Sequence, residues 1–116
     1  MTLKGVISGG AGRMGMRFDD AFARHEVSQL VRALVELDTP ERVEAFLADL
    51  CTPREICDFG QRLQVARYLD EGFSYVDVQA KTGVSSTTVS RVSKALNGPA
   101  GGYRDVLAHL EDGTPL

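Results

Sequence analysis

The 116-residue sequence is poor in the side chains that most often carry catalysis or bind metals, with only two cysteines and two histidines. Cys51 and Cys57 flank Pro53 at a spacing that matches no metal-ligand motif, and we expect two buried thiols in a reducing compartment. His25 and His109 are far apart, and neither has an acidic or cysteine partner at the spacing of a metal site or a catalytic triad. The sequence therefore predicts no enzyme, no metal site and no cofactor.

Long apolar runs are also missing. No segment approaches the roughly 20 apolar residues that a membrane span needs, and glycines follow Lys4 too soon for the apolar core of a signal peptide. Hydrophobic residues make up 43% of the chain and charged residues 25%, which is typical of a soluble globular protein. We expect a cytoplasmic protein, associated with the nucleoid if it binds DNA, and no membrane partner.

No segment alternates apolar and polar residues between turns, as a half-buried strand would. From Asp19 onward, apolar residues instead recur every three or four positions, as on one face of a helix. Thr39-Pro40 and the sequence Thr52-Pro53-x-Glu55 are typical helix starts. The pattern predicts an all-α fold of six helices. We expect a loose arm over 1–18, one helical domain over 19–112 and a tail over 113–116.

The arm contains a glycine-rich stretch, "VISGGAGRMG", that resembles a dinucleotide-binding loop of certain reductases. Such a loop needs a strand before it, a helix after it and a second parallel strand. Only helical patterns follow here, so we interpret the stretch as a flexible arm. Its charges before Asp19 are all basic (Lys4, Arg13 and Arg17), and the arm could therefore contact phosphates.

The most informative segment is "FSYVDVQAKTGVSSTTVSRVSKAL", Phe73 to Leu96. Ser74 can cap a first helix, with Asp77 completing a capping box. Gly83 can adopt the positive φ of a sharp turn, and Ser85 can cap a second helix. A helix, a tight turn and a second helix over about 75–97 form the unit that places a recognition helix in the major groove of DNA.

The second helix of this segment is amphipathic when projected at 3.6 residues per turn. Its apolar side consists of Val89, Val92 and Leu96. Its opposite side carries hydroxyls and cations, namely Thr87, Ser90, Arg91 and Lys94. Such side chains suit phosphates and base edges, and Asp77 is the only acid between Tyr75 and Asn97. The alternatives are an ordinary amphipathic hairpin that serves a protein-interaction module and, less supported, a cofactor binder that uses the glycine loop.

The stretches "LCTPREICDFGQRLQVARYLDEG" and "TGVSSTTVSRVSKALNGP" resemble the Trp repressor-like superfamily, and most closely its YerC/YecD group. The resemblance covers about Asp19 to Leu110. It implies a six-helix fold and an intertwined homodimer whose helix-turn-helix units read two half-sites of double-stranded DNA. The function it implies is that of a sequence-specific transcriptional regulator, most naturally a repressor.

Two sets of residues follow from the motif and the resemblance together. The expected DNA-binding residues are Gln79, Lys81, Ser85, Ser86, Thr87, Thr88, Ser90, Arg91 and Lys94. The positions that match a corepressor pocket are Thr52, Arg62 and Arg91. In that pocket the residue after the arginine is a glycine that leaves room for tryptophan, whereas this chain has Val92. A hydroxyl that assists the ligand is replaced by Ala95. We therefore expect a filled pocket and DNA binding that does not depend on tryptophan.

Overall fold

The computed structural model describes residues 15–110, and within this range the chain forms seven helices and no strand. The helices are α1 Phe18–Phe22, α2 His25–Val35, α3 Pro40–Leu50, α4 Pro53–Asp70, α5 Tyr75–Thr82, α6 Ser86–Leu96 and α7 Gly102–Leu110. This confirms the predicted all-α class. Most of the glycine-rich arm and the tail over 113–116 lie outside the described residues, and the predicted domain bounds stay a prediction. In the described range, no helix is both long enough and apolar enough to cross a membrane.

The first predicted helix is divided in two. Arg24 has an extended backbone, with φ −74° and ψ 139°, and separates α1 from α2. Its Nε donates to Glu26 Oε2 at 2.7 Å. The pKa of Glu26 is lowered because its carboxylate accepts a hydrogen bond from its own backbone N–H and a second from Arg24. No glycine or proline marks this break, and periodicity alone therefore did not reveal it.

The chain divides into two compact units, one ending at Asp49 and the next beginning at Leu50. In the first unit, the helices α1, α2 and α3 contain no buried residue. Val31, Leu34 and Val35 of α2 are 42%, 44% and 78% exposed. Much of the apolar side of α2 is thus exposed, with Val27 and Leu30 half-buried, although its sequence pattern is that of a helix that packs against a neighbour.

The second unit has a core of small and medium aliphatic side chains. The buried residues are Val65, Ala66, Val78, Val84, Val89, Val92, Leu96 and Leu107. They come from α4, α5, the turn after α5, α6 and α7, and the long helix α4 contacts each of the other three helices. The start of α4 is held by the predicted capping box, in which Glu55 N–H donates to Thr52 Oγ1 at 3.1 Å and Thr52 N–H donates to Glu55 Oε1 at 2.8 Å.

The expectation of two buried thiols is wrong. Cys51 is half-buried and Cys57 is exposed, and both are free. Cys57 follows the half-buried Ile56 on α4 and lies on the exposed surface of that helix.

A pair of valine truncations tests this core. Val89 on α6 is fully buried, whereas Val76 on α5 is 73% exposed. We expect Val89→Ala to lower the free energy of unfolding by about 2–3 kcal/mol, because it removes buried methyl groups and leaves a cavity. Val76→Ala is the matched control and should change that free energy by less than about 0.5 kcal/mol. Urea unfolding at fixed protein concentration measures both, and equal losses would contradict this description of the core.

Candidate nucleic-acid interface

The helix-turn-helix is built by local hydrogen bonds at the positions that the sequence predicted. Ser74 Oγ accepts from Asp77 N–H at 3.1 Å and begins α5. Gly83 ends α5 in the left-handed conformation, with φ 78°, and its N–H donates to Gln79 O at 2.8 Å. Ser85 Oγ accepts from Thr88 N–H at 3.2 Å and begins α6. The predicted turn and both predicted caps are confirmed, whereas no bond from Ser74 N–H to the Asp77 carboxylate completes the predicted capping box.

The Thr82 hydroxyl makes two hydrogen bonds that stabilise the turn and that were not predicted from the sequence. Its Oγ1 donates to Val78 O at 2.7 Å and accepts from Val84 N–H at 3.3 Å. Val78 and Val84 are both buried, so the hydroxyl ties the end of α5 to the first residue that re-enters the core. The turn is therefore held from both sides of Gly83, which fixes where α6 begins.

The outer surface of α6 presents five exposed candidates. We call them the recognition face: Ser86, Thr87, Ser90, Arg91 and Lys94. The inner side of the same helix is anchored by Val89, Val92 and Leu96, which are at most 6% exposed. Because one side of α6 is buried in the core, the recognition face has a defined orientation and carries two cations and no acid.

Ser85 and Thr88 belong to the cap of α6 more than to its outer surface. Besides accepting from Thr88 N–H, Ser85 Oγ donates to Thr88 Oγ1 at 3.2 Å. The two hydroxyls therefore bond to each other, and that of Ser85 also bonds to the backbone. Gln79 lies on α5 and is half-buried.

Lys81 lies over two aromatic rings at the junction between α4 and α5. Its Nζ is 5.0 Å from the ring centroid of Phe73 and 5.8 Å from that of Tyr68. The two rings pack against each other with centroids 5.4 Å apart. A cation over an aromatic face is worth about 0.5–1 kcal/mol at an exposed site. Lys81 thus helps to hold α5 against α4, in addition to any contact it makes with DNA.

The three residues that match a corepressor pocket are used differently in this structure. The Thr52 side chain forms the capping box of α4 with Glu55. The Arg62 guanidinium lies 5.6 Å from the ring centroid of Phe59, and Arg91 is on the recognition face. A concavity of about 460 Å³ in the same unit includes none of the three. Its lining consists of Leu69, Asp70, Gly72, Phe73, Tyr75, Ser93, Leu96, Asn97 and Arg104.

Arg104 and Asn97 are polar residues near the C-terminal end of α6 that were not predicted from the sequence. Arg104, on α7, donates to the carbonyl of Leu96 and, at 3.2 Å, to that of Gly98. Asn97 Nδ2 donates to Ser93 O at 2.9 Å. The sequence signal that could have indicated Arg104 is its place in the first turn of the helix that follows the Gly98-Pro99 break.

Metal binding gains no support in this part of the molecule. Across residues 15–110, no three side chains of the His, Cys, Asp and Glu types come together as a metal site requires.

Several known proteins are similar to this chain over most of its length. The Trp repressor protein family matches residues 25–111. The uncharacterized protein YerC of Bacillus subtilis (strain 168) is 37% identical over 93 residues, which cover 80% of this chain and 89% of YerC. The crystal structure of a TrpR-like protein from Eubacterium eligens ATCC 27750 has a TM-score of 0.74 and 36% identity, and the match covers 79% of this chain and 95% of that one. A Staphylococcus aureus structure, provisionally described as a Trp repressor, has a TM-score of 0.76 and 30% identity over 87% of this chain and 100% of that one.

Proposed function

Because the chain belongs to the Trp repressor family, we propose that it is a sequence-specific DNA-binding regulator that reads the major groove with α6. The observation that carries this proposal is the recognition face, an exposed and acid-free surface on a helix whose other side is buried. The family is one of regulators, which agrees with the absence of catalytic spacing among the histidines and cysteines of the sequence.

The recognition face has the chemistry that DNA contacts need. Serine and threonine hydroxyls bond phosphates or either kind of base edge, and arginine bonds guanine in a bidentate manner. The first backbone N–H groups of a helix lack partners within it and suit a phosphate. Ser86 and Thr87 stand at this end of α6, while Lys94 is near the other end. The net charge of −3 does not oppose this function, since DNA binding needs only a local basic surface.

We propose further that the protein acts as a homodimer. The exposed apolar residues of α2 support this, because a second copy would remove Val31, Leu34 and Val35 from water. A two-fold dimer would present two recognition helices to half-sites about 34 Å apart, one turn of DNA. Such a regulator acts on the chromosome in the cytoplasm. Membership of the Trp repressor family favours a repressor over an activator.

Selection of bound fragments from the source genome tests the function. The expected result is enrichment of duplexes that share a two-fold-related pair of half-sites with centres about 10 base pairs apart. Recovery of random fragments only, or of none, would contradict sequence-specific binding. A dimer that retains its fold but selects no DNA would instead support the protein-interaction module.

We also propose that tryptophan does not control binding. Val92 stands where the resemblance places a glycine beside the corepressor, and it is 2% exposed within the core. A buried isopropyl group leaves no room for an indole ring at that point. Adding about 1 mM tryptophan, which saturates a site of micromolar affinity, should leave the affinity for operator DNA unchanged within twofold.

Isothermal titration calorimetry provides the direct check of the tryptophan prediction. The parent protein should give no saturable heat with tryptophan. A micromolar binding signal that disappears in Arg62→Ala would contradict the prediction, because it would place the ligand at the residues that match the corepressor pocket.

A further inference from the structure

The C-terminal end of the recognition helix is held by a side chain from α7. Arg104 donates through Nη1 to Leu96 O and through Nη2 to Gly98 O, the latter at 3.2 Å. We propose that Arg104 is a positioning residue for DNA binding, which sets the orientation of the last turn of α6 without touching DNA. This inference rests on the proposed function, because it concerns how the recognition face is held for that function.

The contact has a clear physical basis. The last carbonyls of a helix have no partner within the helix and form the negative end of its dipole. A guanidinium is always charged and presents several N–H donors in a rigid plane, so it can satisfy two carbonyls at once. Asn97 adds a further bond to Ser93 O at 2.9 Å. The end of α6 is therefore closed by backbone N–H groups and by the side chains of Asn97 and Arg104 together.

The backbone at this end is shaped to bring the two carbonyls within reach of one side chain. Gly98 N–H donates to Ala95 O at 3.1 Å, and a Cβ atom on Gly98 would lie only 3.1 Å from Lys94 O. The chain thus turns tightly against the helix at a position where a glycine fits best. The carbonyls of Leu96 and Gly98 then both point to Arg104.

Packing gives this end of α6 little support on one side. The concavity of about 460 Å³ borders Ser93, Leu96, Asn97 and Arg104, so solvent reaches the last turn there. Helix ends that lack such fixed bonds fray readily. Arg104 is itself anchored, because Leu107, three residues further along α7, is 1% exposed in the core. The guanidinium therefore links the core to the last turn of α6.

The consequence for DNA binding follows from the location of Lys94. This residue is in the last turn of α6, and Arg91 is one turn before it, so fraying of the end would displace the two cations of the recognition face. Loss of Arg104 should then weaken binding because the frayed last turn must be ordered again before Lys94 and Arg91 can contact DNA. Once the protein is bound, the same contacts are made, so the number of phosphates that it neutralises should stay unchanged.

Three variants test this role by fluorescence anisotropy with a labelled duplex recovered in the genome selection, over a range of salt concentrations. We expect Arg104→Met to weaken binding about tenfold with no change in the slope of log affinity against log salt. Arg104→Lys keeps the charge and can bond one carbonyl, and it should recover part of this loss. Arg42→Met is the matched control, because Arg42 Nη1 donates to Glu36 O at 3.0 Å, at the end of α2, and also to Asp38 Oδ1 at 2.7 Å. It removes the same charge and a bond to a helix-end carbonyl together with an exposed ion pair, and binding should stay within twofold of the parent.

Amide hydrogen exchange supplies a second measurement that does not depend on DNA. In Arg104→Met, exchange should accelerate over 95–98 and stay unchanged at the start of α6. If Arg104→Met loses its helical signal, the same comparison is made with Arg104→Lys, whose exchange over 95–98 should lie above that of the parent.

Several outcomes would overturn the inference. Parent-like affinity in Arg104→Met would show that the contact does not position α6 for binding. A salt slope lower by about one in Arg104→Met would show that Arg104 contacts a phosphate directly. A loss of affinity in Arg42→Met equal to that in Arg104→Met would show only general destabilisation. If the parent itself binds no duplex, the proposed function fails, whereas unchanged exchange over 95–98 would refute the Arg104 contact on its own.

Discussion

Replacing Thr87 and Lys94 together with alanine is expected to weaken binding to operator DNA about a hundredfold, since each lost contact is worth about 1–2 kcal/mol. Both residues lie on the exposed side of α6, whereas the buried side of that helix is untouched by the change. Alanine is the strongest helix former, so helical content and thermal stability should be preserved. The loss would therefore report contacts with DNA and not unfolding.

The two single variants separate the kinds of contact. Lys94→Ala should lower the salt slope by about one, as the loss of one phosphate contact does. Thr87→Ala should leave that slope unchanged and reduce the preference for operator over random duplex. If the double variant binds every duplex as well as the parent, the assignment of α6 as recognition helix is wrong.

Converting Val31 and Leu34 to glutamate is expected to produce a monomer and to weaken operator binding by about 10²–10⁴-fold. The two side chains are 42% and 44% exposed on α2, and a dimer interface would have to bury the introduced carboxylates without partners. The second unit has its own core and should keep its helix-turn-helix. One recognition helix would then bind a half-site alone, without the gain from its neighbour.

Light scattering after size-exclusion chromatography measures the mass, and anisotropy measures the affinity of the same sample. Gln29→Glu is the matched control, because it adds a negative charge to α2 on the side away from Leu34. It should leave both the mass and the affinity unchanged. A parent that is monomeric at micromolar concentration, or a double glutamate variant that keeps the parent mass, would contradict the proposed dimer.

Much of the helix-turn-helix could be predicted from the sequence because its determinants are local. The caps at Ser74 and Ser85 each join residues three positions apart, and Gly83 acts through its own φ. Helical periodicity also assigned Val89, Val92 and Leu96 to the buried side of α6, and the structure confirms this. Such features depend on neighbours along the chain, which the sequence displays directly.

Other features depend on residues that meet only after the chain folds. The rings of Tyr68 and Phe73 give Lys81 a packing role beside its expected DNA role. The break at Arg24 divides a helix that periodicity predicted as one, and the exposure of Cys57 reverses the expected burial. Periodicity reports which side of a helix is apolar, but not what covers that side.

The sequence by itself determined the all-α class, the bounds of the two motif helices and the chemistry of the recognition face. Only the tertiary structure decided how that face is held. Arg104 reaches Leu96 O across eight positions of sequence, and this contact requires α7 to fold back beside α6. Caps and helix faces arise from interactions within one or two turns, whereas the orientation of a recognition helix depends on packing and hydrogen bonds between helices.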